Sequence, residues 1–155
     1  MKSKEMTLIS PEELFETVFQ LLQEGYDAEF TVVGNSMWPF LANKRDQVTI
    51  RKVESCFLKK GDIVLLKTDC RYLLHRITRF KKGMFQTTGD NNCYHDDFVS
   101  VENILGRVVR FTRKGKQVSC DNILYRFISW IWRVLFPLRP LLLRILFRLR
   151  RRRIA

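Results

Sequence analysis

Histidine is scarce in this sequence, where His75 and His95 are the only two among 155 residues. The ordinary pKa of histidine lies closest to neutral pH, so histidine is the commonest general base in enzymes. A nucleophile that needs a histidine as its base therefore has only two positions to draw on.

Cysteine is also sparse, and its spacing argues against two familiar kinds of site. The four cysteines, at positions 56, 70, 93 and 120, form no C-x-x-C pair of the zinc-binding or redox kind. Cys93 and His95 lie together in a polar loop, but two candidate ligands fall short of the set that holds a zinc ion. We expect free thiols in a reducing compartment, and neither a metal nor another cofactor.

The sequence lacks a long hydrophobic run. A helix that crosses a membrane needs about 20 mostly apolar residues, and the longest stretch of the C-terminal region without arginine is Phe127–Trp132. The first five residues do not open the apolar segment that is typical of a signal peptide. We expect the main domain to lie in the cytosol, unless the C-terminal region attaches it to a membrane.

Acidic residues are few in the C-terminal region, where the positive charge of the chain is concentrated. Residues 121–155 contain nine arginines and one acidic residue, and so carry +8 of the net charge of +12. The same region is rich in Ile, Leu, Phe and Trp. Pro137 and Pro140 interrupt any helix there, so the sequence predicts two short helices.

The periodicity of this tail indicates attachment to a membrane surface. At 100° per residue, the arginines at positions 126, 133, 144, 148 and 151 form a narrow stripe beside large apolar residues. This pattern is typical of a helix that lies in the membrane interface, and Arg150–Arg153 would attract anionic lipid. We expect peripheral attachment to the cytoplasmic face. The alternatives are a helical hairpin packed on the domain or a partner, and a nucleic-acid-binding arm, which so many apolar residues disfavour.

The region before the tail predicts one helix followed by short strands. Ser10, Pro11 and Glu13 fit the start of a helix with a capping box, and Gly25 is a natural stop. Short β-like segments then alternate with turn residues, a spacing typical of an all-β sheet or partial barrel. We expect a mostly β fold in three parts: an N-terminal helix (1–25), a β domain (26–120) and a basic amphipathic helical tail (121–155).

One serine of the β domain lies in a turn that is suited to presenting it. Ser36 belongs to the segment Gly34–Pro39, which directly follows a β-like run at residues 29–33. Glycine tolerates a positive φ and proline fixes φ, so this segment predicts a stiff turn that exposes Ser36. A serine held in this way can act as a nucleophile if a base lies nearby.

His75 is the candidate for that base. It lies in a predicted strand at residues 71–80, where alternation puts it on one face with Leu73 and Ile77. Burial disfavours the charged imidazolium, so such a histidine stays neutral and available as a base. The alternative is an ordinary core histidine.

The polar loop at residues 89–97 could complete the site. A carboxylate from this loop could accept the Nδ1 proton of His75 and stabilise the imidazolium. We interpret Asp90 as a turn residue that bonds to its own backbone, and we expect His95 to be exposed.

Five segments of the chain appear in the order found in type I signal peptidases: residues 34–39, 60–64, 74–77, 89–97 and 104–108. The His-Arg pair and the Gly-Asp-Asn-Asn…Asp-Asp loop resemble the endoplasmic-reticulum and archaeal branch, which uses Ser–His where the common bacterial branch uses Ser–Lys. The resemblance covers roughly residues 29–110. The Gly-x-Ser-Met form also resembles the repressor self-cleaving peptidases, which have a related fold and a lysine base.

The resemblance implies a serine endopeptidase that cleaves a signal or leader-like peptide by acyl transfer. Ser36 matches the nucleophile, His75 the general base and Asp97 the acid that orients the histidine. The loop is one residue longer than the family pattern, so Asp96 is the alternative to Asp97. The partners would be a peptide or precursor-protein substrate and an anionic membrane. A catalytically silent module that keeps the fold and binds a membrane or partner is the rival hypothesis.

Overall fold

The computed structural model describes residues 11–69 and 71–152. Three α-helices lie in this part of the chain: α1 (Pro11–Gln23), α2 (Ile123–Val134) and α3 (Arg139–Arg152). Eight strands lie between α1 and α2: β1 (Ala28–Thr31), β2 (Asp46–Arg51), β3 (Ile63–Lys67), β4 (Tyr72–Lys81), β5 (Met84–Thr88), β6 (Phe98–Ser100), β7 (Ile104–Arg113) and β8 (Lys116–Ser119).

The strands form one open antiparallel sheet in the order β1-β2-β7-β3-β4-β5-β6, and β8 pairs with the outer part of β7. The long strand β7 joins the β1–β2 part of the sheet to the β3–β6 part. Ile104–Arg107 pairs with β3, and Arg107–Arg113 pairs with β2. The predicted mostly β class is confirmed. Strands β4 and β5 form a hairpin in which Arg76 lies opposite Thr88, and this hairpin carries the candidate site.

Several predicted elements agree with the structure. The strand expected at residues 71–80 is present as β4, and the two short tail helices are present. Gly25 ends the first helix with φ 87°, whereas the predicted N-cap, Ser10, lies outside the described residues. The sequence did not predict β6, a strand of three residues at the end of a polar loop.

The central strand β3 is buried on both faces, which explains its continuous apolar sequence. Leu65 belongs to a core with Leu22 of α1 and Ile50 of β2. Val64 and Leu66 point to the other face, where they pack with Ile77 and Phe85. Alternation along one strand thus supplies two separate cores.

The tail packs on the β domain through its inner surface. Trp132 and Leu143 are buried in a cluster with Trp38 and Ala42, which belong to the loop between β1 and β2. Trp38 also stacks on Phe147, with ring centroids 4.6 Å apart. The inner surface of the tail therefore packs on the β domain, which was one of the alternatives that the sequence left open.

The outer surface of the tail is apolar, and the predicted arginine stripe is divided between two environments. Arg126 lies 3.4 Å from Asp62 of the β domain, and Arg133 lies against Gly61, whereas Arg144 and Arg148 are exposed. The outer surface exposes instead the large apolar residues Ile123, Leu124, Phe127, Ile128, Trp130, Val134, Leu138, Leu141 and Ile145. Within residues 11–69 and 71–152, no helix has the length and apolar character that crossing a membrane requires.

Leu41, in the loop that carries Ser36, is fully buried in the first core. We expect Leu41→Ala to lower the free energy of unfolding by roughly 2–5 kcal/mol, because the lost side chain leaves a cavity. Leu21 on α1 is 36% exposed, so Leu21→Ala should cost about 1 kcal/mol or less. Urea denaturation of both variants measures the difference, and equal losses would contradict the packing described here.

Candidate active site

The loop between β1 and β2 holds Ser36 on an anchored backbone. Gly34 has φ 93°, as the sequence predicted, and its N–H donates to Asn43 Oδ1 at 3.1 Å. Met37 and Leu41 are buried in the core and are joined by a hydrogen bond from the Leu41 N–H to the Met37 carbonyl. Ser36 itself is only partly buried, so a fixed backbone presents its hydroxyl near the surface.

His75 lies in the middle of β4, and its side chain is 5% exposed. Its Nδ1 is 2.5 Å from Asp96 Oδ2. Its Nε2 is buried and has no hydrogen-bond partner among the described residues. With a proton on Nδ1 donated to the carboxylate, the lone pair on Nε2 is free to accept another proton.

Asp96, rather than Asp97, is the carboxylate that contacts His75. Its Oδ2 also accepts a hydrogen bond from Thr87 Oγ1 at 2.7 Å, and its main chain bonds to Thr87 and Gln86 of β5. Asp97 is exposed, because neighbouring residues of an extended segment point to opposite sides. Burial would raise the pKa of Asp96, but its hydrogen bonds to His75 and Thr87 hold that pKa below the ordinary value.

Backbone contacts bring Ser36 to the His75 end of the β4–β5 hairpin. The Ser36 carbonyl accepts a hydrogen bond from the Asn91 N–H at 2.8 Å. A Cβ on Gly89 would lie 2.7 Å from that carbonyl oxygen, so only glycine allows the approach. Thr88, the residue before Gly89, pairs with Arg76, the residue after His75. No hydrogen bond joins the Ser36 hydroxyl to His75 in the described part of the chain, and unliganded sites often have this looser geometry.

Asp90 lies in a turn, as predicted, in which the Asn92 N–H donates to the Gly89 carbonyl. Its carboxylate, however, forms a buried ion pair instead of bonding to its own backbone. It is 1% exposed, and its two carboxylate oxygens accept hydrogen bonds from Nε and Nη2 of Arg76 at 2.9 and 2.6 Å. Arg76 Nη1 donates to the Gly61 carbonyl at 2.7 Å. The pair therefore ties the 89–97 loop to β4, one residue from His75.

The tail holds the same loop from the other side, which the sequence did not reveal. Trp132 Nε1 donates to the Asp90 carbonyl at 3.0 Å. Arg139, buried to 2% exposure, donates through Nη1 to the carbonyls of Gly89 and Asn92 at 3.1 and 2.9 Å. Main-chain carbonyls accept hydrogen bonds whatever their side chain, so no motif in the sequence marks such contacts.

His95 packs against the tail, although the sequence predicted that it would be exposed. Its Nδ1 lies 2.7 Å from Thr88 Oγ1, and its ring stacks on Phe136 at 4.3 Å. Burial and the neighbouring Arg79 and Arg139 lower the pKa of His95. These contacts give His95 a packing role, which leaves His75 as the candidate base.

An apolar cavity of about 350 Å³ lies directly before the serine turn. It is lined by Val32 and Val33 next to Gly34, by Leu74 of β4, and by Phe15 of α1. The cavity can receive apolar or small side chains of a bound peptide. Within the part of the chain that the structure describes, no group of three or more potential ligands could hold a metal ion.

The sequence matches no protein-family model, and no curated protein matches it. Ser36, His75 and the loop with Asp96 come from three separate segments of the chain and meet at one end of the β4–β5 hairpin. In this arrangement His75 is a buried base oriented by the Asp96 carboxylate, and the Ser36 turn contacts the same loop.

The lowered pKa of Asp96 predicts a specific dependence of stability on pH. A carboxylate whose pKa is lower in the folded state stabilises the protein above its unfolded pKa of about 3.9, and this contribution disappears as pH falls through the folded pKa. We expect wild-type protein to lose more unfolding free energy between neutral pH and pH ~3 than Asp96→Asn does. Asp97→Asn, which removes the adjacent exposed carboxylate, should keep the wild-type dependence.

Urea denaturation of the three proteins across this pH range measures the effect. The comparison uses the slope of the unfolding free energy against pH. The contributions of the other carboxylates with a lowered pKa, among them Asp46, are the same in all three proteins and cancel. An identical slope for wild type and Asp96→Asn would show that the contact with His75 does not hold in solution.

Proposed function

We propose that this chain is a serine endopeptidase with a fold like that of type I signal peptidases, and that it cleaves a signal or leader-like peptide. The observation that carries the proposal is the buried His75, whose Nδ1 bonds to Asp96 while Nε2 has no partner among the described residues. The Ser36 carbonyl bonds to Asn91 of the loop that carries Asp96. The motif resemblance gives the same pair, Ser36 and His75. In this proposal Asp96 takes the orienting role that the family pattern assigns to Asp97.

The mechanism is acyl transfer in two steps. His75 Nε2 takes the proton of Ser36 Oγ as that oxygen attacks the carbonyl carbon of the scissile peptide bond. The backbone N–H of Ser36 helps to stabilise the oxyanion. The imidazolium then protonates the leaving nitrogen, the C–N bond breaks, and an ester on Ser36 remains.

The second step returns the enzyme to its starting state. His75 Nε2 takes a proton from water as the water oxygen attacks the ester carbon, and the C–O bond to Ser36 breaks. The imidazolium gives its proton back to Ser36 Oγ, and the new carboxylic acid leaves. Asp96 stays ionised throughout and stabilises each imidazolium that forms.

The surroundings of the serine support an extended peptide as substrate. Strand β1 lies at one end of the sheet, and an open edge can accept a peptide as an added strand. The chain leaves β1 through Val32 and Val33 of the apolar cavity and reaches Gly34. A substrate strand along this edge would place alternate side chains in the cavity and its peptide bond near Ser36.

The outer surface of the tail supports peripheral binding to an anionic membrane. Leu124 and Trp130 of α2 and Leu141 of α3 are each more than half exposed. Arg144 and Arg148 are exposed on α3, where they can approach anionic lipid. The excess of arginine favours the cytoplasmic face, so the substrate would be reached from the cytosol.

Ser36→Ala is expected to abolish peptide cleavage, because it removes the nucleophile. A census of protein N-termini in producing cells, wild type against Ser36→Ala, identifies the substrate. Termini that follow small residues in leader-like segments should be absent from the mutant. Equal termini with a folded, expressed variant would instead favour the silent binding module.

The two adjacent aspartates provide a matched control for the histidine partner. Once a substrate is known, Asp96→Asn should lower kcat by about 10⁴, because the imidazole loses its preferred tautomer. Asp97→Asn should stay near wild type. The reverse order would assign the orienting role to Asp97.

Membrane binding is expected to depend on the outer apolar surface. The double variant Leu124→Ser and Leu141→Ser should weaken flotation with phosphatidylglycerol vesicles about tenfold or more, because buried leucines stabilise the bound state. Phe57→Ser changes a residue of the β domain that is 63% exposed and should have little effect. Wild-type protein that stays unbound in this assay would contradict the membrane proposal.

A further inference from the structure

A cavity of about 320 Å³ lies between α2 and the turn that precedes β3. Lys60 and Gly61 of the turn form one side, and Arg126, Ser129 and Arg133 of α2 form the other. Three cationic side chains therefore border one small space that is separate from Ser36 and His75.

Two of these cations lack a carboxylate partner. Arg126 is neutralised by Asp62 and Asp121, at 3.4 and 3.6 Å. Lys60 and Arg133 form no salt bridge within the described residues. The guanidinium of Arg133 lies against the turn backbone, since a Cβ on Gly61 would be 3.1 Å from Arg133 Nη2. Two of the cationic side chains that border the cavity therefore have no carboxylate within salt-bridge distance among the described residues.

Two residues that line the cavity also carry buried polar atoms that have no partner in the described part of the chain. Ser129 is 3% exposed, and its Oγ makes no hydrogen bond. Arg133 Nε is buried and equally unpartnered. Burying such a group without a hydrogen bond is costly. Burial, together with the neighbouring charges of Arg76 and Arg126, also lowers the pKa of Arg133, an effect that a bound anion would reverse.

We propose that this cavity binds a phosphate group. Phosphate oxygens would accept hydrogen bonds from the Arg133 guanidinium, the Lys60 ammonium and the Ser129 hydroxyl, and their charge would balance the two free cations. The volume of the cavity is several times that of a water molecule's share of liquid, about 30 Å³, and so leaves room for the group.

A lipid headgroup is the source that the surroundings favour. Phe127 and Trp130 line the cavity and are also 55% and 51% exposed on the outer surface of α2. A phosphate in the cavity would thus have its attached acyl chains beside an apolar, aromatic surface, the arrangement that interfacial helices offer to lipids. This choice of source rests on the proposed membrane association, whereas binding of phosphate itself does not.

The first arm of the test uses inorganic phosphate and the fluorescence of the full-length protein, since Trp130 lines the cavity. Wild-type protein should bind phosphate, and Lys60→Gln and Ser129→Ala should each weaken binding about tenfold. Lys59→Gln is the matched control, because it removes the same charge one residue away from the cavity. Equal titrations for Lys59→Gln and Lys60→Gln, or no binding by wild type, would overturn the proposal.

The second arm uses flotation with phosphatidylglycerol vesicles. Both lysine variants lose one positive charge, so general attraction to the membrane falls equally, and only a specific site makes Lys60→Gln weaker. A deficit of Lys60→Gln in both arms supports a lipid phosphate. A deficit with inorganic phosphate alone supports the site and overturns the lipid source.

Neither arm depends on peptide cleavage. Ser36→Ala should therefore bind phosphate as wild type does. If phosphate binds but no peptide cleavage is found, the peptidase proposal fails and the phosphate site is retained. If cleavage is found but phosphate does not bind, only the phosphate site fails.

Discussion

The buried ion pair between Arg76 and Asp90 is the contact on which the candidate site depends. Both side chains are almost fully buried, and a buried charge is tolerated only when it is paired and hydrogen-bonded. Arg76 also reaches the Gly61 carbonyl and the Tyr125 hydroxyl. One guanidinium thus connects β4, the loop beyond β5, the turn before β3 and the first tail helix. The position of His75 relative to that loop follows from this connection.

The tail also contributes to the candidate site, because it contacts the polar loop at residues 89–97. Trp132 and Arg139 donate to three main-chain carbonyls of the loop that receives the Ser36 carbonyl. The tail buries Trp132, Leu143 and Arg139 against the β domain and exposes a largely apolar outer surface, the reverse of an ordinary surface helix. The same two helices therefore contact the loop of the candidate site and carry the apolar outer surface that is proposed to bind a membrane.

Local pattern was sufficient for much of the fold and for part of the site. Alternation placed His75 on a buried face, and the glycine and proline around Ser36 predicted the turn. It did not separate Asp96 from Asp97, because both are carboxylates in one loop and the choice depends on how the chain enters β6. It placed Asp90 in a turn but did not reveal the buried ion pair with Arg76, because that pair joins residues that are far apart in the chain.

By itself, the sequence determined the strands other than β6, the helices, the serine turn and the basic apolar character of the tail. These are properties of neighbouring residues, set by side-chain periodicity and by the backbone limits of glycine and proline. Only the tertiary structure decided which aspartate meets His75, which tail arginines turn inward, and that the tail holds the loop beside Ser36. Those outcomes depend on contacts between segments that are distant in sequence, where burial and charge pairing select one arrangement among many that local preference allows.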